Sequence, residues 1–347
     1  MKTQTSSAMA FLLGASISLF AAFKPAVGTL TVEEQAILDL LSIEQIDNCV
    51  GGPSYATLRV TGANLQVVNG LGNTETTNGL GNLIVGYNED LLDECRRSGS
   101  HNVVVGKDIA YDSYASVATG ETLRMYAPYS AILGGDSSIM NTTAKYSVLM
   151  SGFNNSISSK HSALLGGESN IVDGDFGTVV SGYRNKSSSK FGVILTGQNN
   201  QTLGENTAIL GGYANITNVN SIYGGIGFGI ENEMNAPGGF IASGWSGVAD
   251  GAFAFIGTGG GPGPTDGNIA DGDFSAILGG WENIADNAHT AIVGGSQNHV
   301  TGVSATIVGG KNNNISFMAT HSVISGGKDG FITGIDDWLA GSLFQDD

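Results

Sequence analysis

The side chains able to do chemistry are few in this chain, and they are scattered. Four carboxylates, Asp250, Asp266, Asp271 and Asp273, fall near one another in the sequence. Glycoside hydrolysis needs two such groups flanking the scissile bond, one as acid and one as base or nucleophile. No spacing singles out a pair among these four. Asp266, Asp271 and Asp273 also offer the hard oxygen ligands that Ca²⁺ takes, although a solvated acidic loop is the simpler reading of them. The preceding stretch, 259–266, imitates a calcium-binding nonapeptide only loosely, with proline interrupting it. His101, His161, His289, His299 and His321 lack metal-ligand spacing and read as surface residues.

The remaining reactive groups depend on the compartment. Lys2 precedes an apolar run over 8–23, and small residues follow between Ala22 and Gly28. That pattern predicts a secretory signal over 1–28, with a signal anchor as the alternative. After cleavage no later segment qualifies as a membrane span. In an exported chain the two cysteines, Cys49 and Cys95, read as one disulfide rather than two free thiols. Export would also expose the sequons at Asn141, Asn154, Asn185, Asn200, Asn215 and Asn314 to glycosylation. The formal charge of −17, from 31 acidic against 14 basic residues, provides no basic footprint for nucleic acid.

What must position these residues is a repeat. Gly152, Gly167, Gly182, Gly197 and Gly212 are 15 apart, as are Gly280, Gly295 and Gly310. Two apolar residues precede each site, as in Ile277-Leu278 and Ile292-Val293. An asparagine follows three residues after the glycine: Asn155, Asn170, Asn185, Asn200, Asn215, Asn283, Asn298 and Asn313. A period this short and regular decides the fold. Fifteen residues allow two short strands and two turns per coil, so the chain is expected to be an all-β parallel β-roll or β-solenoid. The glycines supply turns with positive φ, and stacked asparagines form amide ladders. Ladder burial competes with glycosylation at Asn185, Asn200 and Asn215. Ala131, Ala163, Ala208, Ala276 and Ala291 are expected inside, where two sheets approach closely. The core of such a roll is thin, and packing into a homotrimer would thicken it.

The organisation then follows. A helix and linker or cap occupies 29–56, opened by the Thr31–Glu34 capping box and running to about Asp47. Irregular leading coils fill 57–115, and regular coils fill 116–225. A glycine- and aromatic-rich insertion spans 226–274, regular coils return over 275–330, and 331–347 caps the end with Trp338, Leu339, Leu343 and Phe344. The insertion concentrates Phe228, Phe240, Trp245, Phe253 and Phe255, the expected binding residues.

The repeats resemble the head domain of YadA-like trimeric autotransporter adhesins, a left-handed parallel β-roll. The leader over 78–106, with NGLGNLIVGYNE and SGSHNVVVG, is also similar to exported proteins carrying GG-x-x-N arrays. The resemblance implies a secreted or cell-surface rod without catalysis, holding an extracellular surface, a glycan or a matrix protein. Two other readings compete with it. One is a polysaccharide-active solenoid enzyme with its site in 226–274. The other is an ice-binding solenoid, whose face would be the column Ser130, Ser147, Ser162, Thr207, Ser275 and Thr290.

Overall fold

The computed structural model describes residues 31–46, 55–89, 96–261, 263 and 266–341. The signal segment, Cys49, Cys95, Leu343 and Phe344 lie outside the described residues. The chain divides into two compact units, Met1–Gln66 and Val67–Asp347. In the first, helix α1 (Val32–Asp39) starts at the expected capping box: Glu34 N donates to Thr31 Oγ1, and Thr31 N donates to Glu34 Oε2. It stops earlier than expected. Leu41–Ile46 is strand β1, paired antiparallel with β2 (Tyr55–Val60). The alternation Leu41, Ile43, Gln45 suits a strand, and Ile43 lies opposite Leu58. Residues 57–60 therefore belong to a hairpin rather than to a leading coil.

The second unit is a parallel β-solenoid of about 16 turns with coils of about 15 residues. Strands β3 (Leu83–Val85), β4 (Val103–Tyr111) and β5 (Val117–Met125) open it. Two parallel ladders then run along it. The first passes through Ala163–Leu164, Thr178–Val179 and Val193–Ile194, and ends at Trp338–Ala340. The second passes through Ile171–Val172, Lys186–Ser187 and Gln201–Thr202 and ends at Phe331–Ile332. In each two-residue strand the second residue points inward. Ile132, Leu149, Leu164, Ile194, Ile209 and Ile277 from the first ladder face Met140, Ile157, Val172, Ala285 and Ile315 from the second, all fully buried.

This alternation corrects one expectation. Ala131, Ala163, Ala208, Ala276 and Ala291 point outward and are half-buried, because the isoleucine or leucine beside each fills the core. The insertion is corrected as well. Gly225–Ile226, Phe240–Ile241 and Phe255–Ile256 stay in register with Ala208–Ile209 before them and Ala276–Ile277 after them. The repeat is lost to the eye there for two reasons. The coil ahead of Gly225 is two residues longer than 15, and the coil ahead of Ala276 is six residues longer.

The corner after the first ladder explains the glycine and asparagine columns together. At Gly295, φ is 93°, and a Cβ there would sit 2.1 Å from the Gly310 carbonyl oxygen of the next coil. Asn298 is wholly buried; its Nδ2 donates to the Gly294 and Gly310 carbonyls and to Asn283 Oδ1, each at 3.1 Å. Its Oδ1 accepts from the backbone N of Asn313, also at 3.1 Å. Each amide thus ties a corner carbonyl of its own coil to one of its neighbour, and the neighbour's carbonyl also accepts a backbone N–H, as Gly310 O does from Ser296 N.

Candidate binding face

The first ladder shows solvent a surface that its sequence does not advertise. The residue after each inward isoleucine or leucine faces outward, and most are large and apolar. Leu133, Met150, Leu165, Leu195, Leu278, Val293 and Val308 are between 36% and 49% exposed. Scattered exposed leucines are ordinary; a continuous row on one sheet face is not.

This row is broken in one place, inside the stretch 226–274. The outward positions there are Gly227, Ala242 and Gly257, flanked by Leu210 before and Leu278 after. Close approach dictates the glycines: a Cβ on Gly227 would lie 2.3 Å from the Ala242 carbonyl oxygen, and on Gly257 2.4 Å from that of Leu278. Beside the break, Phe240 and Phe255 stack with centroids 6.4 Å apart and planes 21° apart. Phe228 stands on its other side, 53% exposed, against the main chain of Gly211. Three rungs at about 4.8 Å make a recess roughly 10 Å long, floored by backbone and walled by aromatic rings.

Of the five aromatic candidates, Phe228, Phe240 and Phe255 therefore share one feature, and two do not. Trp245 sits one corner away, bridged to Ile230, with its indole Nε1 buried and without a hydrogen bond. Phe253 belongs to a row at the opposite corner, stacked on Phe274 at 5.3 Å, with His289 next at 5.2 Å. The same row upstream is Tyr129, Tyr146, His161, Phe176 and Phe191, with centroids 4.9–5.5 Å apart. His161, His289 and His321 thus occupy one column, all with φ near 57°. Sequence reading missed this column because tyrosine, histidine and phenylalanine alternate in it; only its period of about 15 betrays it.

The acidic candidates take other positions. Asp266 Oδ2 accepts from Gly263 N, and Asp273 Oδ1 accepts from Ala252 N, both at 2.9 Å. Asp250, Asp271 and Asp286 occupy equivalent positions after successive strands of the second ladder. Burial raises the Asp271 pKa first, and the facing Asp286 carboxyl raises it further, with Asp250 adding a smaller push. All three are exposed side chains on a sheet face. Among the described residues no group of three His, Cys, Asp or Glu side chains could hold a metal ion.

Three sequon asparagines, Asn185, Asn200 and Asn215, are fully buried rungs of the amide ladder, whereas Asn154 is exposed and Asn141 and Asn314 are half-buried. The Ser/Thr column from Ser130 to Thr290 faces the interior, so the flat hydroxyl face expected of an ice-binding solenoid is absent from that column. No family model matches the chain, and no curated protein matches it.

Proposed function

We propose that this protein is an exported, non-catalytic solenoid rod that adheres to an extracellular surface, glycan or matrix protein through the outer face of its first ladder. The carrying observation is the exposed apolar row, interrupted by a recess between Phe228 and the Phe240–Phe255 pair. Aromatic rings beside a backbone floor suit the C–H faces of sugars, and an apolar row suits a flat insoluble support. The same row supports self-association, including a homotrimer, because burying it removes apolar surface from water.

An enzymatic role has weaker support. The paired carboxylates Asp271 and Asp286 stand on an exposed sheet face, where a glycosidase needs them across a substrate cleft.

The test is adsorption of the purified chain to microcrystalline cellulose, chitin and immobilised matrix protein, with reducing-sugar release measured in parallel and mass by light scattering. Retention without sugar release, reduced by Phe240→Ala with Phe255→Ala and by Leu278→Lys with Val293→Lys, is the expected outcome. Sugar release abolished by Asp271→Asn, or no retention on any support, overturns the reading.

A further inference from the structure

The second ladder carries a groove that the adhesive face does not include. It begins at Gly267 and holds about 390 Å³. One wall is the part of the sheet row with Ile269, Ile284, His299 and Asn314; the other is the corner row Glu282, Gln297 and Asn312. Along the corner, Gln297 Nε2 donates to Glu282 Oε2 at 2.7 Å, and Asn312 Nδ2 donates to Asp329 Oδ1 at 2.7 Å. The carboxylates are thereby engaged, while one face of each amide stays open to the groove. On the sheet wall, His299 Nε2 is buried and makes no hydrogen bond, and Asp286 Oδ2 lies 3.5 Å from it as an ion-pair contact. The side-chain amide of Asn314 makes no hydrogen bond among the described residues, its backbone N alone donating to Gly330 O.

We propose that this groove binds a neutral glycan strand lying along the solenoid axis. Three features select that ligand class. Amides carry a donor and an acceptor on one edge, the pair that adjacent sugar hydroxyls complement. Among the described lining residues Glu282 is the one carboxylate and there is no lysine or arginine, so the groove's walls offer amides rather than paired charges. Ile284 supplies an aliphatic patch for a sugar's C–H face. The geometry matches as well: polar groups recur at the rung spacing of about 4.8 Å, close to the rise of an extended β-linked sugar polymer. The Asn314 amide, which makes no hydrogen bond among the described residues, is what a hydroxyl-bearing ligand would satisfy, with the His299 ring beside it, and an analogue lacking those hydroxyls would be rejected. The site is separate from the Phe240–Phe255 recess, which lies on the other ladder. It rests on the glycan arm of the proposed function and names a second contact for it.

The experiment is titration calorimetry of the full chain with cellohexaose, xylohexaose and chitohexaose. At least one should bind, and His299→Ala and Asn314→Ala should each weaken it by about tenfold or more. Both side chains point outward, and an unchanged melting curve confirms that each variant keeps its fold. Asn314→Arg, which fills the groove, is the second route to the same loss. Binding that survives all three variants overturns the inference, as does the absence of binding by every hexasaccharide. Binding lost only with Phe240→Ala and Phe255→Ala also overturns it, while leaving the adhesive reading intact. Retention on insoluble supports without any hexasaccharide binding has that same meaning. Failure of both assays overturns both readings.

Discussion

Asn298 is where the corner chemistry can be probed hardest, because alanine and aspartate remove different things from it. Alanine deletes three donated bonds and leaves the backbone N–H of Asn313 without its acceptor. The Gly310 carbonyl keeps its bond from Ser296 N, and Asn283 Oδ1 keeps the Asn298 backbone N, so neither is orphaned. One buried N–H left unpaired costs about 1–3 kcal/mol, and the lost bonds add about 0.5–1.5 kcal/mol each before relaxation. With those terms overlapping, Asn298→Ala should lose about 3–5 kcal/mol. Aspartate keeps the shape and the acceptor for Asn313, yet it aims an oxygen at three other acceptors in a fully buried site. Burial and these acceptors raise its folded pKa well above the unfolded value of about 3.9. The carboxyl therefore folds neutral, so its ionisation penalty is absent below about pH 4 and grows as pH rises toward the folded pKa. Urea denaturation followed by circular dichroism at pH 4 and pH 7 separates the cases. Asn298→Asp should be the less stable variant at pH 7 and should recover much of its loss at pH 4, while Asn298→Ala keeps its deficit at both. A pH-independent aspartate variant, or one more stable than alanine at pH 7, would refute the amide-ladder account.

Neighbouring glycines should respond oppositely. Gly295→Ala forces a Cβ to within 2.1 Å of a carbonyl oxygen at a φ of 93° and should cost about 3 kcal/mol or more, whereas Gly294→Ala meets nothing within 4 Å and should stay within about 0.5 kcal/mol, both read by thermal melting. Asp271→Asn removes a carboxyl whose pKa is raised by burial and by Asp286. Since a raised folded pKa makes the ionised form unfavourable, this variant should melt higher than the parent at pH 7, and the gap should close as pH falls below the unfolded carboxylate range. In a host that glycosylates sequons, peptide mapping of the folded product should find glycan only at Asn141, Asn154 or Asn314, because the amides of Asn185, Asn200 and Asn215 are buried and hydrogen-bonded.

The coil and its corners are legible in the sequence because they rest on strict local demands. Gly295 must tolerate positive φ and a close carbonyl, and Asn298 must reach two coils at once; few residues can replace either. Two further rungs escape a fixed 15-residue frame: Asn232 carries the same signal three residues after Gly229 but follows a longer coil, and the corner glycine of Asn268 is Gly259, nine residues before it. Which of two adjacent apolar residues faces inward is less legible. Leu278 and Ile277 have similar hydropathy, and only the pleat assigns Ile277 to the core and Leu278 to solvent. The same ambiguity hid the apolar row and placed Ala276 inside. Helix α1 was read too long for a related reason: Leu40, Leu41 and Ile43 fit a helical face as well as a strand, and the pairing with Tyr55–Val60 decides between them. The groove beside Gly267 has no sequence signature at all, since Glu282, Gln297 and Asn312 become neighbours only through coil stacking.

The direction of the ladder bonds also has a mechanical meaning. Bonds such as Val293 N to Ile307 O and Leu278 N to Ile292 O join one coil to the next, so they lie along the long axis of the solenoid. Tension applied through its two ends loads them one coil at a time. Each coil that opens releases about 50 Å of chain, 15 residues at about 3.4 Å, in place of the roughly 4.8 Å it spanned when stacked. A tether built this way yields under load in small repeated steps, lengthening many-fold before it parts, and each detached coil can re-zip onto the edge of the one that remains.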